Sequence, residues 1–292
     1  MPHPFHIVDV FARERYAGNQ LAVVTDAGDL HEDEMQAIAA EMDYSETTFV
    51  TGEPNDGAWS VRIFTPAAEV PFAGHPTLGT AQVIRDHLAD GQSETVTLDL
   101  AVGHVPVEVR QRDGHETLWM TQQSPEFGEQ LAHDELAAVL GLSTDRLDRD
   151  WPVEIVSTGL ETIVVPLADR DALEAIDMDR DAYDAVTDDR EAKNVLAVCR
   201  DPRSDANDLA VRVFAPFYNV PEDPATGSSN GCLAAYLARH EVLGGPIVDA
   251  RVEQGYEMGR PSLLHLSADA SGGGIAVQVG GGIVPVARGD LL

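Results

Sequence analysis

The sequence predicts a mixed α/β protein (α+β in its pattern) built from two similar halves. Three observations predict it. The chain has 292 residues, more than one domain usually holds. Short strand-like stretches alternate with a few apolar helices. An eleven-residue segment recurs at a constant offset of 150. That segment is Val61-Arg62-Ile63-Phe64-Thr65-Pro66-Ala67-Ala68-Glu69-Val70-Pro71 against Val211-Arg212-Val213-Phe214-Ala215-Pro216-Phe217-Tyr218-Asn219-Val220-Pro221, with six positions identical. A weaker echo links Gly18 and Val23-Val24 to Gly159 and Val164-Val165. Both matches keep their order ahead of a corresponding helix, so duplication is the better account. The period is far too long for a solenoid.

In the first half, His6–Val10 and Gln20–Val24 are apolar and β-branched, with Gly18-Asn19 as the turn before the second. Glu32–Met42 reads as a helix, with Met35, Ile38, Ala39 and Met42 on one face. Thr47–Val50 and Trp59–Thr65 read as strands. His75–Leu88 reads as a helix that is apolar on most sides, the pattern of a buried helix. Strands follow near Thr95–Leu100, Val105–Arg110 and Thr117–Thr121. Gln122–Glu129 is polar, contains Pro125 and Gly128, and is the best linker candidate. The second half repeats the plan. Glu154–Ser157 and Glu161–Pro166 are strands, Asp171–Ile176 an acidic helix, and Asn194–Val198 and Leu209–Phe214 strands. Ser228–Ala238 is a second helix of small and apolar residues, with strands beyond it. Gly272–Gly274 and Gly280–Gly282 read as turns. They do not link a strand to a helix, so they are no dinucleotide fingerprint.

Composition bounds the function. At 43% hydrophobic and 24% charged, the chain can bury a sizeable core. No apolar run is long enough for a membrane span, and the N-terminus lacks a secretion signal, so a cytoplasmic protein is expected. The formal net charge of -31 comes from 50 acids against 19 bases. It repels nucleic acid and anionic membranes, so neither is expected as a partner. The acids are scattered between periodic apolar segments, which is a solvated surface rather than disorder. Cys199 and Cys232 are too few for a disulfide scaffold and lie in no zinc spacing. His3 and His6 have no acidic partner pattern, and no HExxH, P-loop or nucleophile elbow appears. No metal is expected.

The duplication directs attention to two helix starts. Two related halves usually pack about an approximate twofold axis, which would face the starts toward a shared cleft. A helix start presents unpaired N–H groups and about half a positive charge. Two starts together make an anion site without any lysine, and this chain has a single lysine, Lys193. Gly74 and Gly227 allow close approach to the backbone, and Thr77, Thr226 and Ser228 offer hydroxyl donors. Read singly, these are ordinary capped helix starts. His75 and Asp223 flank the two turns. Glu46 stands in Ser45-Glu46-Thr47-Thr48-Phe49, where a helix gives way to a strand. Taken alone, each of the three has a plain structural reading: a hydrogen-bonding histidine, a turn-forming aspartate before proline, a solvated strand-edge acid.

Together these segments resemble the PhzF family of phenazine-biosynthesis isomerases, within the diaminopimelate-epimerase-like superfamily. The matching residues are Val8-Asp9-Val10-Phe11 with Gly18–Val24, Ser45–Phe49, Phe64-Thr65-Pro66 with Glu69–Gly79, and Glu222-Asp223-Pro224-Ala225-Thr226-Gly227-Ser228. They span nearly the whole chain in the family's order. The resemblance implies two pseudo-symmetric domains, each an antiparallel barrel-like sheet wrapped around a central helix. The expected extents are 1–122 and 123–282, with a C-terminal strand at about 283–292 returning to the first half. It implies a homodimer and a cofactor-independent isomerase of a small carboxylate substrate. Glu46 matches the catalytic acid/base, His75 and Asp223 the residues that orient the substrate, and Gly74, Gly227 and Ser228 the carboxylate-binding turns.

Racemases and epimerases of the superfamily carry a cysteine at each helix start. Here those starts read Gly74-His75 and Thr226-Gly227-Ser228, so two-base inversion lacks its residues. A single carboxylate can instead remove and return a proton on one face and shift a double bond. An epimerase or racemase, or a non-catalytic binding protein that keeps the pocket, are the alternatives.

The acidic surface also suggests a halophilic host, where salt screens self-repulsion. Unfolding followed against salt concentration is expected to show stability rising from low to molar salt; equal stability at both ends would remove the suggestion.

Overall fold

Alternating β-branched and aromatic residues set the strands of this chain, and glycines or left-handed residues turn it between them. The computed structural model describes residues 2–89, 91, 93–112 and 114–292. It divides into two units, Met1–Met120 with Gly280–Leu292, and Thr121–Val279.

The first unit contains β1 (His3–Val10), β2 (Asn19–Val24), α1 (Glu32–Met42), β3 (Thr47–Asn55), β4 (Ala58–Phe64), the short β5 (Glu69–Val70), α2 (Gly74–His87), β6 (Thr95–Leu100), β7 (Gly103–Arg112) and β8 (His115–Thr121). The strand Ile283–Leu291 pairs antiparallel with β1. From there the sheet runs β1, β2, β3, β4, β6, β7, β8. β2 with β3 and β4 with β6 are parallel, and the other pairs are antiparallel. α2 is buried at every position from His75 to Ile84, as a helix apolar on most sides requires. It touches β1, β2, β3, β6, β7 and Ile283–Leu291, so the sheet curls around it. α1 packs outside, with Met35 and Ala39 against Phe49 and Phe64.

The second unit contains β9 (Glu126–Leu131), α3 (His133–Val139), β10 (Val153–Ser157), β11 (Glu161–Pro166), α4 (Arg170–Glu174), α5 (Arg180–Thr187), β12 (Asn194–Cys199), β13 (Leu209–Ala215), β14 (Val220–Asp223), α6 (Gly227–Arg239), β15 (Ile247–Gln254), β16 (Ser262–Asp269) and β17 (Ala276–Gly281); Ile283–Leu291 is then β18. Its sheet runs β9, β10, β11, β12, β13, β15, β16, again with the third strand parallel to the fourth and the fifth parallel to the sixth. α6 touches β10, β11, β12, β15 and β16. Each unit is therefore a mostly antiparallel sheet wrapped around one helix, and the connectivity is repeated.

The repeated segment shows why its residues recur. Arginine and phenylalanine two apart on a strand share a face. Arg62 meets Glu69 at 2.7 and 2.6 Å and lies 5.1 Å above the Phe64 ring. Arg212 meets Glu222 at 2.9 and 2.8 Å and lies 5.0 Å above Phe214. Both copies use a two-pronged guanidinium to join adjacent strands while its flat face covers an aromatic ring.

Two sequence expectations need correction. Gln122–Glu129 is not a free linker: β9 begins at Glu126 and pairs with β10. Gly280–Gly282 is not a turn. Gly280 and Gly281 lie inside β17, where a Cβ would sit 2.5 Å from Trp119 and 2.4 Å from Phe11. The glycines there permit close packing, not reversal.

α2 also depends on a glycine. A Cβ at Gly79 would lie 2.5 Å from Leu21 Cδ2 and 2.9 Å from Val10 Cγ2, and the valine is stiff about its first torsion. Gly79→Ala is expected to lower unfolding free energy by about 1–3 kcal/mol through overpacking. Gly272→Ala, which meets nothing within 4 Å, is expected to stay within about 0.5 kcal/mol of wild type. Chemical denaturation of the two variants checks both.

Candidate active site

α2 and α6 start in the same way. Their N-cap residues, Ala73 and Thr226, are extended, and neither side chain caps its helix. The first-turn N–H groups cannot bond within the helix. In α2 these are Gly74 and His75, because Pro76 has none and Thr77 N already bonds Ala73 O at 3.3 Å. In α6 they are Gly227, Ser228 and Ser229, because Asn230 N bonds Thr226 O at 3.1 Å. Each start thus presents adjacent N–H groups at the positive end of a long helix, an arrangement suited to an anion.

The hydroxyls behave differently from the sequence expectation. Thr77 is fully buried, and its hydroxyl donates back to Ala73 O at 2.8 Å. The Thr226 hydroxyl donates to Asp223 Oδ2 in a short hydrogen bond. Neither is a free donor, because each finds a closer internal acceptor. Ser228 is half-buried, and no partner of its hydroxyl is found among the described residues.

In the first unit, Glu46 is the residue before β3, and His75 is the second residue of α2. His75 is 6% exposed. Its Nε2 lies 3.3 Å from Gln20 O and 3.5 Å from Glu46 Oε2. A carbonyl only accepts, so Nε2 carries the proton. Burial lowers the His75 pKa to about 3. The ring is therefore neutral at physiological pH, and its approach to Glu46 is a polar contact rather than an ion pair. The Glu46 side chain is 18% exposed, with Oε2 itself sealed from solvent. A neutral imidazole, its N–H bonded to Gln20 O, thus lies beside a partly buried carboxylate.

In the second unit, Asp223 ends β14 and Pro224-Ala225-Thr226 leads into α6. The turn is held from outside: Gln254 Nε2 donates to Asp223 O at 2.7 Å, and Ser262 Oγ to Pro224 O at 2.8 Å. Gln20, Asn230 and Gln254 were not singled out in the sequence. Gln20 acts through a main-chain carbonyl, which no residue type marks. Asn230 could have been noticed as an amide at the start of a helix of small and apolar residues, and Gln254 as a polar residue following Val248, Ala250 and Val252 on one face of its strand.

The thiols lie away from the helix starts. Cys232 is fully buried within α6 and donates to Leu160 O at 3.4 Å. Burial raises its pKa, and that of Cys199 to about 11. Among the described residues no group of three His, Cys, Asp or Glu is placed to hold a metal, and no helix is long and apolar enough to cross a membrane.

The chain is similar to known proteins over its whole length. The PhzC-PhzF profile, described as phenazine biosynthesis-like protein, matches residues 8–289. Trans-2,3-dihydro-3-hydroxyanthranilate isomerase of Pseudomonas aeruginosa is 37% identical over 98% of this chain and 98% of its own. The crystal structure of a PhzF family protein of Bacillus anthracis superposes with a TM-score of 0.91, at 26% identity, over 100% of this chain and 99% of the other. A hydroxyproline epimerase of Agrobacterium vitis shares the fold alone, with a TM-score of 0.62 at 11% identity over 99% of this chain and 91% of the other. On the family profile and these relatives, the chain belongs to the PhzC-PhzF family of phenazine biosynthesis-like proteins.

Proposed function

We propose that the chain is a cofactor-independent isomerase that moves a proton, and with it a double bond, on a small cyclic carboxylate. The observation that carries this reading is the partly buried Glu46 carboxylate beside the neutral His75 N–H, next to a helix start with no side-chain cap. Glu46 takes a proton from an acidic carbon. The electron pair of that C–H bond becomes a new double bond, the existing double bond shifts, and the same proton is returned to a second carbon from Glu46. Atoms and electrons balance within the substrate, so the reaction needs no external oxidant or reductant. His75, anchored on Gln20 O, packs beside the carboxylate and shields it from bulk water. The N–H groups at Gly74 and His75 bind the substrate carboxylate and oppose developing negative charge. In the second unit, the N–H groups at Gly227, Ser228 and Ser229, with Asp223 and the Ser228 hydroxyl, form a polar site of the same kind. The relatives named trans-2,3-dihydro-3-hydroxyanthranilate isomerase make that compound the first substrate to test. We also propose that the enzyme acts as a cytoplasmic homodimer.

A two-base epimerase would need two groups on opposite faces. Both thiols are buried with raised pKa values, which favours the one-carboxylate reading.

Glu46→Gln is expected to lower kcat by about 10²–10⁴-fold, the range for losing a general base, while binding of the compound by calorimetry persists. Full turnover in that variant would falsify the role of Glu46. Inactivation of the wild type by a thiol reagent would favour the two-base alternative, and binding without any proton exchange by NMR would favour a binding protein.

The neutral state of His75 also predicts a pH dependence. Its folded pKa, about 3, lies below the ordinary histidine value of 6.5, so the unfolded chain binds the extra proton between those values. Its contribution is complete above pH 6.5 and is lost as pH falls toward 3, at up to about 1.4 kcal/mol per pH unit. His6, also lowered by burial, acts in the same direction, so the comparison is between wild type and His75→Gln. Denaturation between pH 7 and 4 is expected to show a shallower loss in the variant; parallel curves would contradict a neutral buried His75.

A further inference from the structure

Gln254 is 1% exposed at the end of β15, and Asn230 is fully buried in α6. A buried amide must have its donors and acceptor matched, and Gln254 directs both ends at the turn that carries Asp223. Its Oε1 accepts from Thr226 N at 3.2 Å and from Asn230 Nδ2 at 2.9 Å. Its Nε2 donates to Asp223 O at 2.7 Å and to Thr226 Oγ1 at 3.1 Å. Asn230 Nδ2 also reaches Thr226 O at 3.0 Å. Because Thr226 Oγ1 accepts from Gln254, its own proton is left to point at Asp223 Oδ2. The chain of donors thus runs from the Gln254 amide through the Thr226 hydroxyl to one oxygen of the Asp223 carboxylate. The neighbouring acid, Glu222, is committed to Arg212 at 2.8 Å.

Strand β15 does not need an amide at this position. Ala250 and Val252, at the alternate positions before it, are fully buried and apolar. The adjacent hairpin is fitted to the same turn. Ser262, the cross-strand partner of Gln254, donates to Pro224 O. Gly255, at φ +77, lies so close that a Cβ would sit 2.5 Å from Pro224 O.

We propose that Gln254, steadied by Asn230, is a positioning residue that fixes the Asp223 carboxylate through Thr226. This rests on the reading of Asp223 as a site residue given above. Hydrogen bonds in a buried chain strengthen one another, and displacement of an orienting group by about 1 Å can cost about 10²-fold in rate.

The test uses the full-length protein and four variants: Gln254→Met, Gln254→Glu, Asp223→Asn and the double variant Asp223→Asn/Gln254→Met. Circular dichroism and thermal unfolding identify any variant that fails to fold, and the near-isosteric Gln254→Glu is the second line if the methionine variant does. The Asp223 carboxyl titration is read by ¹³C NMR, without substrate. Turnover is read with trans-2,3-dihydro-3-hydroxyanthranilate. Gln254→Glu is expected to move the Asp223 titration upward by about one pH unit or more, by placing a second carboxylate on the same hydroxyl. Gln254→Met is expected to lower kcat/KM about 10–100-fold, and to add less than about twofold in the Asp223→Asn background, because both changes break one pathway. An Asp223 titration that does not move in either Gln254 variant overturns the proposal, and so do losses that multiply in the double variant. If Asp223→Asn keeps full turnover while the titration moves, the positioning contact stands and the role of Asp223 in the reaction is what fails. If the compound is not turned over, the titration alone decides.

Discussion

A helix buried along its length has to do something with the N–H groups of its first turn, and this fold is arranged around that constraint. α2 and α6 each lie within the curl of a sheet, where an unsatisfied polar group is costly. An ordinary helix would answer with a serine, threonine or aspartate cap. Here the N-cap positions are an alanine and a threonine whose hydroxyl is turned elsewhere. Glycine as the first helical residue in both keeps the backbone open to approach. The helix starts thus leave their first N–H groups to partners other than an N-cap side chain; Glu46 and His75 lie at the start of α2, and Asp223 at the start of α6.

Much of the frame was legible because it is written in local pattern. The apolar runs at His75–Leu88 and Ser228–Ala238 mark buried helices, and the repeated Val-Arg-x-Phe segment marks equivalent strands with equivalent arginine contacts. What was misread depends on distant partners. Glu126–Leu131 looks polar and loop-like, yet it forms a strand because Val153–Ser157 offers it a ladder. Gly280 and Gly281 look like a turn until the Trp119 and Phe11 rings packed against them are known. Of the candidate site, residue types mark the polar side chains, but not where the hydroxyl protons of Thr77 and Thr226 point. The Gln254 network joins residues more than 20 apart in sequence, with no periodic signature.

The two units have diverged where the chemistry is proposed. Glu46 precedes Thr47, which pairs with Phe64 and with Ala22; in the second unit, Asn194 precedes Val195, which pairs with Phe214, the counterpart of Phe64, and with Ile163. The position that holds a carboxylate in one unit therefore holds an amide in the other. Asn194 is buried, and its Nδ2 donates to Ser229 Oγ at 3.3 Å. A duplicated frame has kept its strands and central helix while changing the residue at one equivalent position.

The outer strand of each sheet comes from a different place in the chain. In the second unit it is β9, only some twenty residues ahead of β10; in the first it is β18, which meets β1 from the far end of the sequence. During synthesis on the ribosome the second unit can assemble from contiguous residues as they emerge. The first must wait with the edge of β1 uncovered until Ile283–Leu291 has been made, and an open strand edge invites pairing with the wrong chain. The half with the proposed proton carrier is made first and finished last.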